Sequence, residues 1–148
     1  NPVVVRVDIK NTTGDHIDQE IIHVKDGENK MDVLVNMMRD DVFQKVLIFA
    51  ETKRWVSKVC KELNRKGIKA DEIHGNKSKN YRQTALNSFK SEKIKVLVAT
   101  DVAARGLDIE EVSHVINYQK PKNFDSYIHR IGRTGRAGKS GKAYTFVN

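Results

Sequence analysis

The sequence predicts a three-layer α/β domain with a mostly parallel central sheet, and three observations carry that prediction. From Val46 onward, short apolar runs alternate with segments of helical period, the pattern of βαβ units around a parallel sheet. Hydroxyl residues stand at expected helix starts, Thr52 and Ser78, where a side-chain oxygen can take an orphan backbone N–H. Gly67 stands at an expected helix end, where a left-handed residue is needed.

Taken in order, residues 1–14 have turn composition and read as a linker leading into a domain that spans residues 15–148. Residues 17–24 read as an edge strand. Met31, Val33, Leu34, Met37 and Met38 mark a helix, and residues 46–50 a buried strand. The helix capped by Thr52 turns Val56, Val59, Cys60 and Leu63 to one face. Residues 68–73 form the next strand, and Ser78 caps a helix with Tyr81, Ala85, Leu86 and Phe89 inward. A strand over 94–99 precedes a short helical turn at 101–104. A strand over 112–117, a helix over 123–131 and a closing strand over 143–147 complete the domain. In that last helix, Phe124, Tyr127, Ile128 and Ile131 follow i, i+3, i+4, i+7 and predict one buried stripe.

The 148 residues suffice for one domain with a real core. No apolar run approaches the roughly 20 residues that span a bilayer, and the first residues lack the apolar stretch expected of a signal peptide. The start at Asn1-Pro2, without Met, suggests a piece of something longer. Cys60 is the single cysteine, so no internal disulfide forms, and a cytoplasmic or nuclear location is expected. The net charge of +8 is uneven: residues 1–41 carry 5 Lys/Arg against 9 Asp/Glu, and residues 42–148 carry 22 against 10. A basic body points to a polyanionic partner, nucleic acid first, against the bland reading of a lysine-rich solubilising surface. Sparse aromatics, 7% of the chain, argue against base stacking as the main grip.

The densest chemistry is His129-Arg130-Ile131-Gly132-Arg133-Thr134-Gly135-Arg136. Arginine forks suit phosphate oxygens, and glycine is a poor choice in a merely solvated helix. His129, Arg133 and Arg136 share one helical stripe if the helix continues. If Gly132 and Gly135 end it early, Arg136 lies in a loop. Two further stretches fall at carboxyl ends of strands, the usual ligand position of open α/β sheets: Glu51-Thr52, and Thr100-Asp101 running on to Asp108. Ordinary capping is the bland account of both threonines. Gly138-Lys139-Ser140 is not a phosphate loop, because residue 133 is Arg rather than Gly and a helix precedes instead of following. No carboxylate cluster, His/Cys spacing or nucleophile–base pair marks a metal site or a hydrolytic centre.

The run from Val98 to Ile109, followed by His129 to Arg136, resembles motifs V and VI of DEAD-box RNA helicases. The segment 46–53 resembles their motif IV, and His74-Gly75 with Arg82 the block after it. The match runs in order over about residues 42–148, and His rather than Gln at the head of motif VI favours this branch over its relatives. The resemblance implies the second, C-terminal RecA-like domain of a two-domain motor. ATP would sit between the domains, with the Walker A loop, the Asp-Glu-Ala-Asp box and the Mg²⁺ on an N-terminal RecA-like domain. It implies that Arg133 and Arg136 reach the γ-phosphate, Arg136 the likelier finger, and that His129 couples nucleotide to the partner domain. Asp108 and Arg105 lie near the nucleotide, and Phe49 supports motif VI. Thr52, Gly75, Arg82 and Thr100 would hold the RNA backbone. Lys79, Trp55 and Gln119-Lys120-Pro121 depart from the family pattern. The resemblance implies a monomer that does not turn over ATP alone. Two other readings stand beside it, a non-catalytic RNA-binding or scaffold module and a domain of a related DNA-helicase branch.

Overall fold

A computed structural model describes residues 3–10, 16–105, 107, 109, 112–134 and 141–147, with backbone alone for 3–10 and 16. The strands are β1 (Val3–Lys10), β2 (His16–His23), β3 (Val46–Phe49), β4 (Ala70–Ile73), β5 (Val96–Ala99), β6 (His114–Asn117) and β7 (Gly141–Val147). The helices are α1 (Lys30–Met38), α2 (Lys53–Arg65), α3 (Lys79–Lys90), α4 (Asp101–Ala104) and α5 (Phe124–Ile131). One seven-stranded sheet runs in the order β1-β2-β7-β6-β3-β5-β4. Only the β1–β2 pair is antiparallel; the other pairs are parallel.

Strand alternation sorts the core into two layers. Val46 and Ile48 of β3 face α1 and α2, with Leu34, Met38, Val56, Val59 and Leu63. Leu47 and Phe49 face α3, α4 and α5, with Leu86, Phe89, Ala103 and Ile131. Strands β3, β5 and β6 are buried along their whole length; β3 and β5 are continuous apolar runs for that reason, while β6 carries His114 and Asn117 at its two ends. The mostly parallel three-layer architecture is therefore the one expected.

Local signals hold at the caps. Thr52 Oγ1 accepts the Trp55 N–H at 3.2 Å and Ser78 Oγ the Tyr81 N–H at 3.0 Å. Gly67 has φ +86°, with its own N–H on Asn64 O and the Ile68 N–H on Leu63 O, the paired bonds that close a helix with a left-handed residue.

Three expectations need correction. Val3–Lys10 is a strand rather than turn, and it pairs with all of β2, so β2 is not the edge. The period-two row Val3, Val5, Val7, Ile9 carried that signal, but polar residues on either side obscured it. Tyr81 is 36% exposed, its hydroxyl donating to Asp71 rather than entering the core. The α5 stripe is buried in part, with Tyr127 and Ile128 half-buried against the core. Ile131 is fully buried, whereas Phe124, in the first turn, is 70% exposed.

Candidate functional site

The parallel register sets Phe49, Ala99 and Ile73 side by side at the carboxyl ends of β3, β5 and β4, with Asn117 beside Phe49 on β6. Every described candidate residue follows one of these ends or sits on the helix after it. Two groups form there.

The first group is organised by Arg130, which sequence reasoning passed over. It is 2% exposed and lies over Phe49, its guanidinium carbon 5.1 Å from the ring centre. Its Nε and Nη2 donate to the two carboxylate oxygens of Asp101, each at 2.6 Å. Nη1 donates to Asn117 Oδ1 at 3.2 Å and to Gln119 O at 2.9 Å. A planar fork meeting a carboxylate edge-on is the strongest geometry such a pair takes. It ties the start of α4 to the last turn of α5. The signal available was an Arg at i+3 from Tyr127, inside the apolar stripe, with an unexplained Asp101 after β5.

Around this base, Arg105, His129 and Arg133 line one shallow cleft with Phe49, Ala104 and Ser126. Helix α5 ends at Ile131 with Gly132 as its cap, so the early-ending alternative is the one observed. Arg133 follows in a turn, where its Nη1 donates to Leu107 O and Ile109 O at 3.5 Å. The fully buried Thr134 hydroxyl donates to Val112 O at 2.7 Å and fixes that turn on the segment before β6. Asp108 and Arg136 lie outside the described residues. Of the nucleotide-side candidates, the structure thus brings together His129, Arg133 and Arg105.

The second group lies across β3, β5 and β4. Thr52 and Thr100 both cap helices, Thr100 Oγ1 accepting the Ala103 N–H at 3.3 Å. Both oxygens keep lone pairs beyond the cap. Gly75 is exposed in the β4–α3 loop, with nothing within 4 Å of where a Cβ would stand. Arg82 lies one turn into α3, and its Nε has no partner among the described residues. Behind this loop, Glu72 accepts from Ser57 Oγ at 2.7 Å and meets His74 Nε2 at 2.9 Å and Lys77 Nζ at 3.5 Å. Burial alone would raise the Glu72 carboxyl, but the Ser57 and His74 hydrogen bonds and the Lys77 charge hold it below its ordinary value.

Trp55, one of the departures, packs partly into the core with its ring 5.9 Å from Tyr118. Gln119, another, accepts the Glu51 N–H through its side chain. Cys60 is buried, and burial followed by the Glu72 and Asp71 charges pushes its thiol up to about 12. Among the described residues no cluster of His, Cys, Asp and Glu is placed to hold a metal, and no helix is long and apolar enough to cross a membrane.

Residues 29–138 match the family described as the Helicase conserved C-terminal domain. The chain is 46% identical to the ATP-dependent RNA helicase CshA of Listeria monocytogenes over 99% of its own length and 28% of the relative's. It is 44% identical to DEAD-box ATP-dependent RNA helicase 21 of Oryza sativa subsp. japonica, over 99% of its own length and 20% of that protein. The chain belongs to the DEAD-box RNA helicase family, as its C-terminal helicase domain. It spans between a fifth and three tenths of the length of these relatives.

Solved structures agree on the RecA-like fold of this helicase domain. The DEAD-box splicing factor Prp28 of yeast superposes with a TM-score of 0.81 at 36% identity, over 89% of this chain and 29% of that one. The Escherichia coli DEAD-box protein SrmB, crystallised with regulator of ribonuclease activity A, gives 0.79 at 37% identity, over 84% and 74%. Within the DEAD-box frame, the Arg130–Asp101 pair joins motif VI to motif V, and the second group spans motifs IV and V and the block between them.

Proposed function

We propose that this chain works as the C-terminal RecA-like half of an ATP-dependent RNA helicase. One observation carries the reading: the side chains of Arg105, His129 and Arg133 share a cleft at whose base the Arg130 charge is already met by Asp101. The guanidinium and imidazole nitrogens of that cleft are donors of the kind that suit an outside anion. They suit the phosphates of ATP, and no carboxylate set among the described residues suits its Mg²⁺, which belongs on the N-terminal RecA-like domain. ATP supplies the phosphoryl group whose transfer to water powers the cycle.

In this reading Arg133 and Arg136 face the γ-phosphate across the domain interface, with Arg136 the principal finger. Their positive charge stabilises the charge that develops as the bond to the leaving phosphate breaks, an effect of ~10³–10⁵ in rate. His129 passes the nucleotide's presence to the partner domain, while Asp108 and Arg105 orient the nucleotide. Thr52, Gly75, Arg82 and Thr100 hold one RNA strand by its sugar-phosphate backbone, giving grip with little sequence preference. Domain closure then bends that strand away from its complement.

The test joins the chain to an N-terminal RecA-like domain bearing a Walker A loop and an Asp-Glu-Ala-Asp box. RNA-stimulated ATP turnover is expected in the joined protein and none in the 148 residues alone. Arg136→Ala abolishes it with the fold intact. Turnover indifferent to Arg136→Ala sinks the finger assignment, and a joined protein without turnover favours the scaffold reading. Preference for deoxyribose strands favours the DNA-helicase branch.

A further inference from the structure

We propose that His74 is a positioning residue for the RNA backbone, acting through one fixed ring tautomer on the loop between β4 and α3. The proposal rests on the RNA reading above.

His74 directly follows β4 and is 5% exposed. Its Nδ1 accepts the Asn76 backbone N–H at 3.2 Å, so that nitrogen carries a lone pair and the ring hydrogen sits on Nε2. Nε2 in turn faces Glu72 Oε1 at 2.9 Å and Ser57 Oγ at 3.2 Å. The same Glu72 oxygen takes the Ser57 hydroxyl and stands 3.5 Å from Lys77 Nζ. One edge of the ring is therefore anchored on two elements, β4 and α2. The other edge reaches out and holds the amide just past Gly75.

The rest of the loop is strung from that point. Lys77 donates its N–H to His74 O at 3.0 Å, and Asn76 Oδ1 accepts from Lys53 Nζ at 3.1 Å. Ser78 then caps α3, whose Arg82 N–H bonds Ser78 O at 3.0 Å. Gly75 has no side chain, and no atom lies close enough to restrain one. The imidazole supplies the restraint this glycine lacks. A loop already ordered loses less entropy when a phosphate strand settles against Gly75 and Arg82. The two nitrogens thus do different work, Nε2 as anchor on Glu72 and Ser57 and Nδ1 as clamp on the Asn76 amide.

That division is testable. Asparagine places its amide oxygen near Nδ1 and keeps the clamp; glutamine places its amide nitrogen near Nε2 and keeps the anchor. Binding of a short single-stranded oligouridine at low salt, thermal unfolding and hydrogen exchange at the Asn76 amide are measured for wild type, His74→Asn, His74→Gln and Arg82→Ala. We expect His74→Gln to bind roughly five-fold more weakly with faster Asn76 exchange, about what one lost hydrogen bond gives. His74→Asn, at matched melting temperature, keeps both properties near wild type. Equal affinity across wild type and both His74 variants, with Arg82→Ala weakened, overturns the positioning role and leaves the RNA reading standing. Wild-type affinity indifferent to salt and to Arg82→Ala overturns the RNA reading, and this proposal with it. Should neither His74 variant fold, nitrogen-15 spectra of the wild-type ring decide: hydrogen on Nε2 supports the proposal, and hydrogen on Nδ1 overturns it.

Discussion

Replacing Arg130 by alanine removes a cation that is 2% exposed and strands its partners unequally. The Asp101 side chain is 27% exposed and can recover water, while Asn117 is fully buried and cannot. Losing the donor to Asn117 Oδ1 costs about 1–3 kcal/mol of desolvation. The broken ion pair and the emptied space over Phe49 bring the loss to about 3–5 kcal/mol, the usual range for deleting one partner of a buried pair. Against a total stability of about 5–15 kcal/mol, the domain stays folded but marginal. Its melting temperature falls on the order of 10 °C, at roughly 2–4 °C per kcal/mol for this size. Urea titration of wild type, Arg130→Ala, Asp101→Asn and the double variant measures this directly. Coupling between the two sites is expected at about 0.5–3 kcal/mol, because they share one network. Arg130→Lys keeps the charge but not the fork, and should recover less than half of the loss. A loss under about 1 kcal/mol for Arg130→Ala, or a lysine variant as stable as wild type, refutes the view that the bidentate geometry holds this base together.

Acid should weaken the fold through His114. Burial first, then the Lys142 charge, push its pKa down to about 4, against the pull of Glu20 and Asp40. The unfolded chain takes this proton first, so stability is full above roughly pH 6.5 and is lost as pH falls toward about 4. His114→Phe should flatten that slope in urea titrations across this window; an unchanged slope contradicts the assignment. Gly67→Ala meets no neighbour, yet φ +86° makes it costly, so about 1 kcal/mol of destabilisation is expected by denaturation. Cys60, buried and with its thiol pushed up to about 12, should resist alkylation at pH 8 until denaturant is added. Rapid labelling of the native protein would contradict its burial against Val56 and Leu63.

The sheet was legible wherever burial on both faces left an uninterrupted apolar run, as in β3 and β5. So was α2, because a 3.6-residue period and both of its ends carried independent signals. Strand β1 was less legible: its alternation is two-sided, and Pro2 and the Asn11-to-Gly14 turn composition outweighed it. In α5 the period was read correctly but its burial was not, since the first turn at Phe124 stands clear of the neighbouring layers. For the candidate site, residue types after strand ends marked the location, because parallel topology sends every such end to one side. What periodicity could not give was the inward turn of Arg130. A charged side chain enters a core only when partners from distant segments meet it, and Asp101, Asn117 and Gln119 come from two other strand ends. His74 was hidden in the same way, as its partner Ser57 lies on another helix.

Thr100 and Asp101 are consecutive residues. The first caps α4 toward the proposed RNA groove, and the second is clamped by Arg130 beneath the proposed nucleotide cleft. Communication between two ligands is usually imagined as a relay across many contacts. Here only one peptide unit separates the two contacts; its plane is stiff, and the ψ of Thr100 and the φ of Asp101 are the soft torsions left beside it. A shift at either proposed site would reach the other through those two torsions.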